Sequence, residues 1–190
     1  LDVRPRRSVE SGRDQNFPKV SCGYAHSDQA YSEGLRGTDL KGVTSPYVYV
    51  GTWKAMFGWH KEDMDLYSIN YLHTGQPKFW YSIDLGSHDD FEAYVRSNFK
   101  EQFKQCPEYL RHKTTLIYPE NLLRVGIKMK KIVQRPGEFV VARAKGYHSG
   151  FNAGYNIAEA VNFALPSWLE IGEKAKPCRC SKDSVRIDIA

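Results

Sequence analysis

Trp59-His60-Lys61-Glu62-Asp63 sets a histidine and a glutamate two positions apart. In an extended segment alternate side chains share a face, so one imidazole and one carboxylate reach a common point. Tyr147-His148-Ser149-Gly150 offers a third ligand from a separate stretch of chain. Two histidines and a carboxylate on one face of an ion, with its other positions open, suit Fe(II) and O₂ chemistry. The pair alone is weak, because a surface histidine beside a glutamate is the commoner reason for such a match.

Cys106, His112, Cys178 and Cys180 form a second group. Three thiolates and an imidazole make a closed tetrahedral set of the kind that holds structural zinc. Cys178-Arg179-Cys180 is too tight for an ordinary disulfide. The start, Leu1-Asp2-Val3-Arg4-Pro5-Arg6-Arg7, lacks the apolar core of a secretory signal, so metal binding is the better default for these cysteines. A C-x₅-H followed by a distant C-x-C is not the spacing of an ordinary zinc finger. Cys22 stands outside the set and reads as a plain thiol.

The elements that must position these groups belong to one domain. The 190 residues are 41% hydrophobic, with 12 Tyr, 9 Phe and 4 Trp, which suits a folded core and argues against disorder. Lys and Arg total 27 against 22 Asp and Glu, for a net charge of +5. That is too diffuse to predict direct DNA binding. No apolar run approaches the roughly 18 residues of a membrane span. Leu1 is not an initiator Met, which points to a fragment or a processed product.

Residues 1–41 lack apolar periodicity and read as a loop or arm. Strand patterns cover 46–51, 67–73 and 78–83, with Gly75 and Pro77 placed to close a hairpin between the last two. Phe91, Tyr94, Val95, Asn98, Phe99 and Phe103 recur at helical spacing, predicting one helix over 89–105. A short helix over 119–125 is stopped by Gly126. Strand character returns at 138–142, 146–149 and 158–164, before a last helix over 167–175. Strands interrupted by one helical insertion, without βαβ rhythm, predict an antiparallel barrel or sandwich.

The run from His60 through Asp63-Met64-Asp65-Leu66-Tyr67-Ser68-Ile69-Asn70-Tyr71-Leu72 to His73 resembles the core signature of the Jumonji-C (JmjC) histone lysine demethylases. Gly137-Glu138-Phe139, Gly146-Tyr147-His148-Ser149-Gly150-Phe151-Asn152 and Ala158-Glu159-Ala160-Val161-Asn162-Phe163 resemble it too. The resemblance runs from about residue 42 to residue 188. It implies a mainly β fold with α insertions: a double-stranded β-helix, or cupin-like jelly roll, with a helical insertion and a C-terminal zinc-tied segment. The implied layout is an N-terminal arm over 1–41, partly ordered or a remnant of the region joining JmjN to JmjC, then a catalytic domain over 42–176 and a zinc-binding segment over 177–190.

The same resemblance implies His60, Glu62 and His148 as Fe(II) ligands, and Cys106, His112, Cys178 and Cys180 as ligands of Zn(II). For the cosubstrate 2-oxoglutarate it implies Lys78 at the distal carboxylate, Asn70 and Tyr31 as donors, and Phe57 and Trp80 as an aromatic wall. Tyr47, Tyr49 and Gly42 match a methyl-lysine cage, for which the plain alternative is strand core. Lys113 matches a lysine near the O₂ path, and Ala160 and Val161 sit where relatives place hydroxyl side chains. The zinc set matches the subgroup carrying JmjN, with a fungal-like tail. The implied activity is oxidative demethylation of di- or trimethyl-lysine on the histone H3 tail, with chromatin as partner and the nucleus as location. A weakly active chromatin scaffold and a protein side-chain hydroxylase are the rival readings. Arg143-Ala144-Lys145 departs from the family pattern just before His148, the stretch from Tyr31 to Gly42 is short, and no JmjN segment is visible.

Overall fold

The computed structural model describes residues 2–5, 43, 45–180 and 185–189. Tyr31, Gly42 and Cys22 lie outside them.

Among the described residues, nine strands form two antiparallel sheets. β1 (Asp2–Pro5), β7 (Glu138–Ala142), β4 (Tyr67–Gly75), β9 (Asn156–Phe163) and β2 (Tyr47–Gly51) lie in that order in the larger sheet. β3 (Met56–His60), β8 (His148–Asn152), β5 (Lys78–Ile83) and β6 (Met129–Gln134) make the smaller one. The fold is mainly β, as the strand patterns and the family resemblance led us to expect, with the two antiparallel sheets of a cupin-like jelly roll.

The expected hairpin at Gly75 and Pro77 does not form. β4 pairs with β7 and β9, whereas β5 pairs with β6 and β8, so the turn crosses from one sheet to the other. Gly75 takes φ +96° there and Gln76 N donates to Tyr155 O at 2.8 Å. A side chain at Gly75 would strike the Tyr155 backbone, so the crossing needs glycine for space as well as for φ. Three strands had no clear sequence signal: β1, which lies in the stretch read as loop or arm yet pairs with β7; β3, which carries His60; and β6, whose Met-Lys-Lys-Ile-Val-Gln alternates poorly.

The helix expected over 89–105 is two helices, His88–Asn98 and Lys100–Gln105, hinged at Phe99 (φ −121°, ψ 49°). Phe91 and Val95 share one face and pack with Trp59, Tyr109, Leu122, Ile127 and Tyr147 into the larger core. The helix Pro119–Arg124 starts on proline, and Gly126 (φ +84°) lies just beyond its end. The last helix is shorter than expected, a 3₁₀ turn Pro166–Trp168 leading into Leu169–Gly172. Trp168 joins Met64, Leu66 and Ala144 in a second, smaller core.

Candidate metal centres

His60 ends β3 and His148 begins β8, and these two residues are direct antiparallel partners. Register therefore brings their rings to 4.3 Å between centroids. Each Nδ1 faces the carbonyl oxygen two residues back, Gly58 O at 2.8 Å and Gly146 O at 3.1 Å. With Nδ1–H donated to the backbone, each Nε2 lone pair points away and is free for a metal.

Glu62 follows His60 in extended conformation (φ −65°, ψ 157°), after which the chain turns sharply. Met64 (φ 50°) and Asp65 (φ 54°) are both left-handed, which swings the chain into the 3₁₀ turn Asp63–Asp65. Glu62 Oε1 lies 3.3 Å from His148 Nε2 and 3.9 Å from His60 Nε2. The three ligand atoms lie within 4.8 Å of one another, close enough for one ion.

The electrostatics suit a cation. Burial, aided by His148, pushes the His60 pKa down to about 3, so its imidazole is neutral at ordinary pH. Burial works against the charge of Glu62, but its hydrogen bond to His148 and the nearby Lys113 outweigh it and hold the pKa well below the usual range. A neutral imidazole beside a buried carboxylate is a donor set that a divalent ion would neutralise.

β5 runs alongside β8 and extends this face. Ser82 pairs with His148, Trp80 with Gly150, and Lys78 with Asn152, so Lys78 lies four residues from the histidine, roughly 13 Å along the strand. Lys78 is buried and its Nζ donates to Asn152 Oδ1 at 2.6 Å. Burial lowers its pKa to about 8. Phe57 stands between the two ends, 4.8 Å from Trp80, 6.3 Å from His60 and 6.5 Å from His148 by ring centroids, with Lys78 Nζ 5.8 Å from its ring.

Asn70 reaches in from β4 of the opposite sheet. Its Oδ1 accepts from Gln134 Nε2 at 3.1 Å, and Gln134 Oε1 in turn accepts from Trp80 Nε1 at 2.9 Å. With its oxygen occupied, the Asn70 amide nitrogen is the end left to donate into the cavity.

Several residues on or behind this face had no role assigned from the sequence. Gln134 is fully buried and bridges Asn70 to Trp80. Asn152 holds Lys78 and accepts from Asn156 Nδ2 at 3.1 Å. Ser149 Oγ donates to Phe57 O at 2.8 Å. A Cβ on Gly150 would run into the Phe79 carbonyl and the Phe57 ring. Their roles depend on cross-strand register, which sequence spacing does not disclose.

Tyr47 and Tyr49 share one face of the edge strand β2, with rings 6.1 Å apart and exposures of 43% and 48%. Tyr49 lies within electrostatic reach of Glu62 and Lys113, although burial is the main cause of its raised pKa. Lys113 takes a left-handed conformation (φ 61°), and its carbonyl accepts from Gly58 N at 3.1 Å. Ala160 pairs with both Tyr47 and Asn70, while Val161 pairs with Ile69. Neighbours on a strand face opposite ways, so Ala160 shares the Asn70 face and Val161 does not.

The four Cys/His residues also converge, with ligand atoms within 4.8 Å of one another. Cys106 Sγ and Cys178 Sγ are 3.7 Å apart, and His112 Nε2 is 3.1 Å from Cys178 Sγ. Tetrahedral zinc with about 2.3 Å Zn–S bonds requires a sulfur–sulfur edge of about 3.8 Å, so the set fits that ion. Burial raises the Cys106 pKa. At Cys178 burial is outweighed by hydrogen bonds from the Cys180 amide and His112, and the pKa falls to about 7.

Fold and site together define a double-stranded β-helix domain with an open two-histidine, one-carboxylate face and a separate closed thiolate cluster. The chain belongs to the JmjC family. The family profile described as "JmjC domain, hydroxylase" matches residues 47–163. The chain is 47% identical over 153 residues to mouse lysine-specific demethylase 4B, covering 80% of this chain and 14% of that protein. It is 43% identical over 178 residues to rat lysine-specific demethylase 4D, covering 94% and 34%. It is also 46% identical over 149 residues to human probable lysine-specific demethylase 4F, covering 78% and 23%. The chain thus spans about a third or less of the length of these curated relatives.

Proposed function

We propose that this chain is the catalytic domain of an Fe(II)- and 2-oxoglutarate-dependent demethylase acting on di- and trimethyl-lysine of the histone H3 tail. The observation that carries the reading is the single face on which the ligand atoms of His60, Glu62 and His148 converge while Lys78, a buried cation, lies four residues along the sheet. Residues 42–176 are assigned to the catalytic domain, and residues 177–190 to the zinc-binding segment that carries Cys178 and Cys180. The relatives' names support lysine demethylation, and chromatin and the nucleus follow as partner and location.

Iron(II) would be held by His60, Glu62 and His148, and Zn(II) by Cys106, His112, Cys178 and Cys180. Held there, iron would supply O₂ activation, with one oxygen atom going to 2-oxoglutarate to give succinate and CO₂ and the other to an N-methyl carbon. The hydroxymethyl group then leaves as formaldehyde, and the amine loses one methyl.

The protein's own residues orient these reactants. Lys78 and the Asn70 amide bind the distal carboxylate, joined by Tyr31. Phe57 and Trp80 exclude water between the carboxylate and the metal face. Gly58 O and Gly146 O keep the imidazole protons on Nδ1. Tyr47, Tyr49 and Gly42 present oxygens and aromatic faces to the methylated ammonium. Lys113 stands beside Glu62 at the O₂ side, and Ala160 lines the same face.

The test is formaldehyde release from trimethylated histone H3 peptides. We expect release that requires both Fe(II) and 2-oxoglutarate and disappears in His60→Ala. Succinate formed with a hydroxylated, still-methylated peptide would favour the side-chain hydroxylase instead. A folded protein that forms neither product would favour the scaffold.

A further inference from the structure

Arg111 is the one buried arginine among the described residues, with a side chain 2% exposed. A buried guanidinium is retained only where its donors are satisfied. Here Nη1 donates to Glu62 O at 2.5 Å, Nη2 to Asp65 Oδ1 at 2.6 Å and Nε to Lys176 O at 2.9 Å. Glu108 Oε2 lies 3.5 Å from Nε.

These partners belong to the two metal-ligating regions. Glu62 and Asp65 bracket the left-handed turn behind the carboxylate of the triad. Arg111 itself precedes His112 on the 3₁₀ turn Tyr109–His112, and Lys176 lies two residues before Cys178. The one guanidinium therefore ties both halves of the Cys/His cluster to the main chain of Glu62. Asp65 also accepts from Lys61 Nζ at 3.3 Å, so this buried carboxylate is braced from both sides. Arg111 is a ligand in neither set, and it also lines a polar pocket with Lys61, Asp65, Glu92 and Lys176.

We propose that Arg111 is a positioning residue that couples the Cys/His cluster to the triad. A metal on the cluster fixes His112 and the 176–180 segment, which fixes the guanidinium, which sets the Glu62 main chain and hence its carboxylate. The inference rests on the reading that both sets bind metal. Coupling of this kind is reciprocal: zinc strengthens metal binding at the triad, and metal at the triad retards zinc loss.

The experiment uses Mn(II) as a stand-in at the triad, followed by electron paramagnetic resonance, with zinc content measured on the same samples. Arg111→Gln and Arg111→Lys are compared with the parent protein, and circular dichroism reports folding. We expect zinc-loaded Arg111→Gln to bind Mn(II) at least tenfold more weakly, with Arg111→Lys in between. Chelating zinc from the parent protein should weaken Mn(II) binding about as much, whereas in Arg111→Gln it should change little. Should Arg111→Gln fail to fold, the same comparison is made with Arg111→Lys. Unchanged Mn(II) affinity in the folded, zinc-loaded variant overturns the proposal, and so does an undiminished zinc effect in that variant. If the parent protein binds Mn(II) no better than His60→Ala does, the metal reading beneath the proposal fails, and the two failures are distinguishable.

Discussion

The triad and the Cys/His cluster are built in opposite ways. His60 and His148 are cross-strand partners, and Glu62 lies one pleat beyond, so the triad inherits its geometry from a hydrogen-bonded sheet. The cluster takes none of its ligands from a strand, although Cys106 and Cys178 pack into the same core as Trp59 of β3. Cys106 follows a helix, His112 ends a 3₁₀ turn, and Cys178 and Cys180 lie in an irregular segment. A sheet can hold ligands in place with the metal absent and one side open to reactants. Segments joined by a few side-chain contacts and no strand ladder depend on the metal to hold them, and four donors leave no position open. On the proposed reading, one set serves turnover and the other cohesion.

That contrast breaks most visibly on removing one ligand from each. His60→Ala should reduce turnover to roughly a thousandth or less, since the metal itself is lost. Its melting temperature should move only a few degrees, because β3 and β8 keep their backbone pairing. Cys178→Ser should do the reverse in stability, lowering the melting temperature by roughly 10 °C or more as the tail detaches. Thermal scans beside formaldehyde assays of both variants check the pair. Equal destabilisation by the two would end the distinction.

Smaller effects come from the far end of the open face. Lys78→Ala should raise the KM for 2-oxoglutarate about 30- to 100-fold, as expected for a lost charge-assisted hydrogen bond, with kcat recovering at saturation. Because the free Lys78 pKa is lowered to about 8 by burial, the amine loses its proton as pH rises through that value. Cosubstrate affinity should therefore decline above about pH 8. A bound carboxylate favours the charged amine, so binding there should take up protons. Calorimetry in buffers of different ionisation enthalpy measures that uptake.

Gln134→Leu should have the smallest effect. It leaves the Trp80 Nε1–H and the Asn70 carboxamide without their buried partner, costing about 1–3 kcal/mol of stability. The KM for 2-oxoglutarate should rise several-fold as Asn70 loses its orientation. Chemical denaturation and steady-state kinetics separate the two effects.

What was legible in the sequence followed its locality. His60-Lys61-Glu62 needs only the two-residue period of an extended chain, and the Cys/His set needs only counting. His148 became legible through the motif around it. Tyr47 and Tyr49 were readable as one face of a strand, but nothing local marks β2 as the edge of its sheet. The crossing at Gly75 and Pro77 was misread because a tight turn between two strand patterns signals a hairpin equally well. Only the partners of β4 and β5 tell the two apart. Gln134, Asn152 and Gly150 owe their positions to residues on other strands, so no local pattern announces them. The hinge at Phe99 lacks proline and glycine, and Arg111 reads as an ordinary surface charge. Arg143-Ala144-Lys145 departs from the family pattern, yet it forms an ordered turn. Lys145 N donates to Asp65 O at 3.0 Å, Gly146 N donates to Arg143 O at 3.0 Å, and Ala144 packs with Trp168.

The central claim is that the triad and Lys78 form one site for Fe(II) and 2-oxoglutarate. Anaerobic titration of 2-oxoglutarate into the Fe(II)-loaded protein tests it most directly, by the visible absorption of a keto acid chelated to ferrous iron. The absorption should appear in the parent protein, require far more 2-oxoglutarate in Lys78→Ala, and vanish in His148→Ala. Its absence from the folded parent protein, or its persistence at full strength in His148→Ala, would contradict the account.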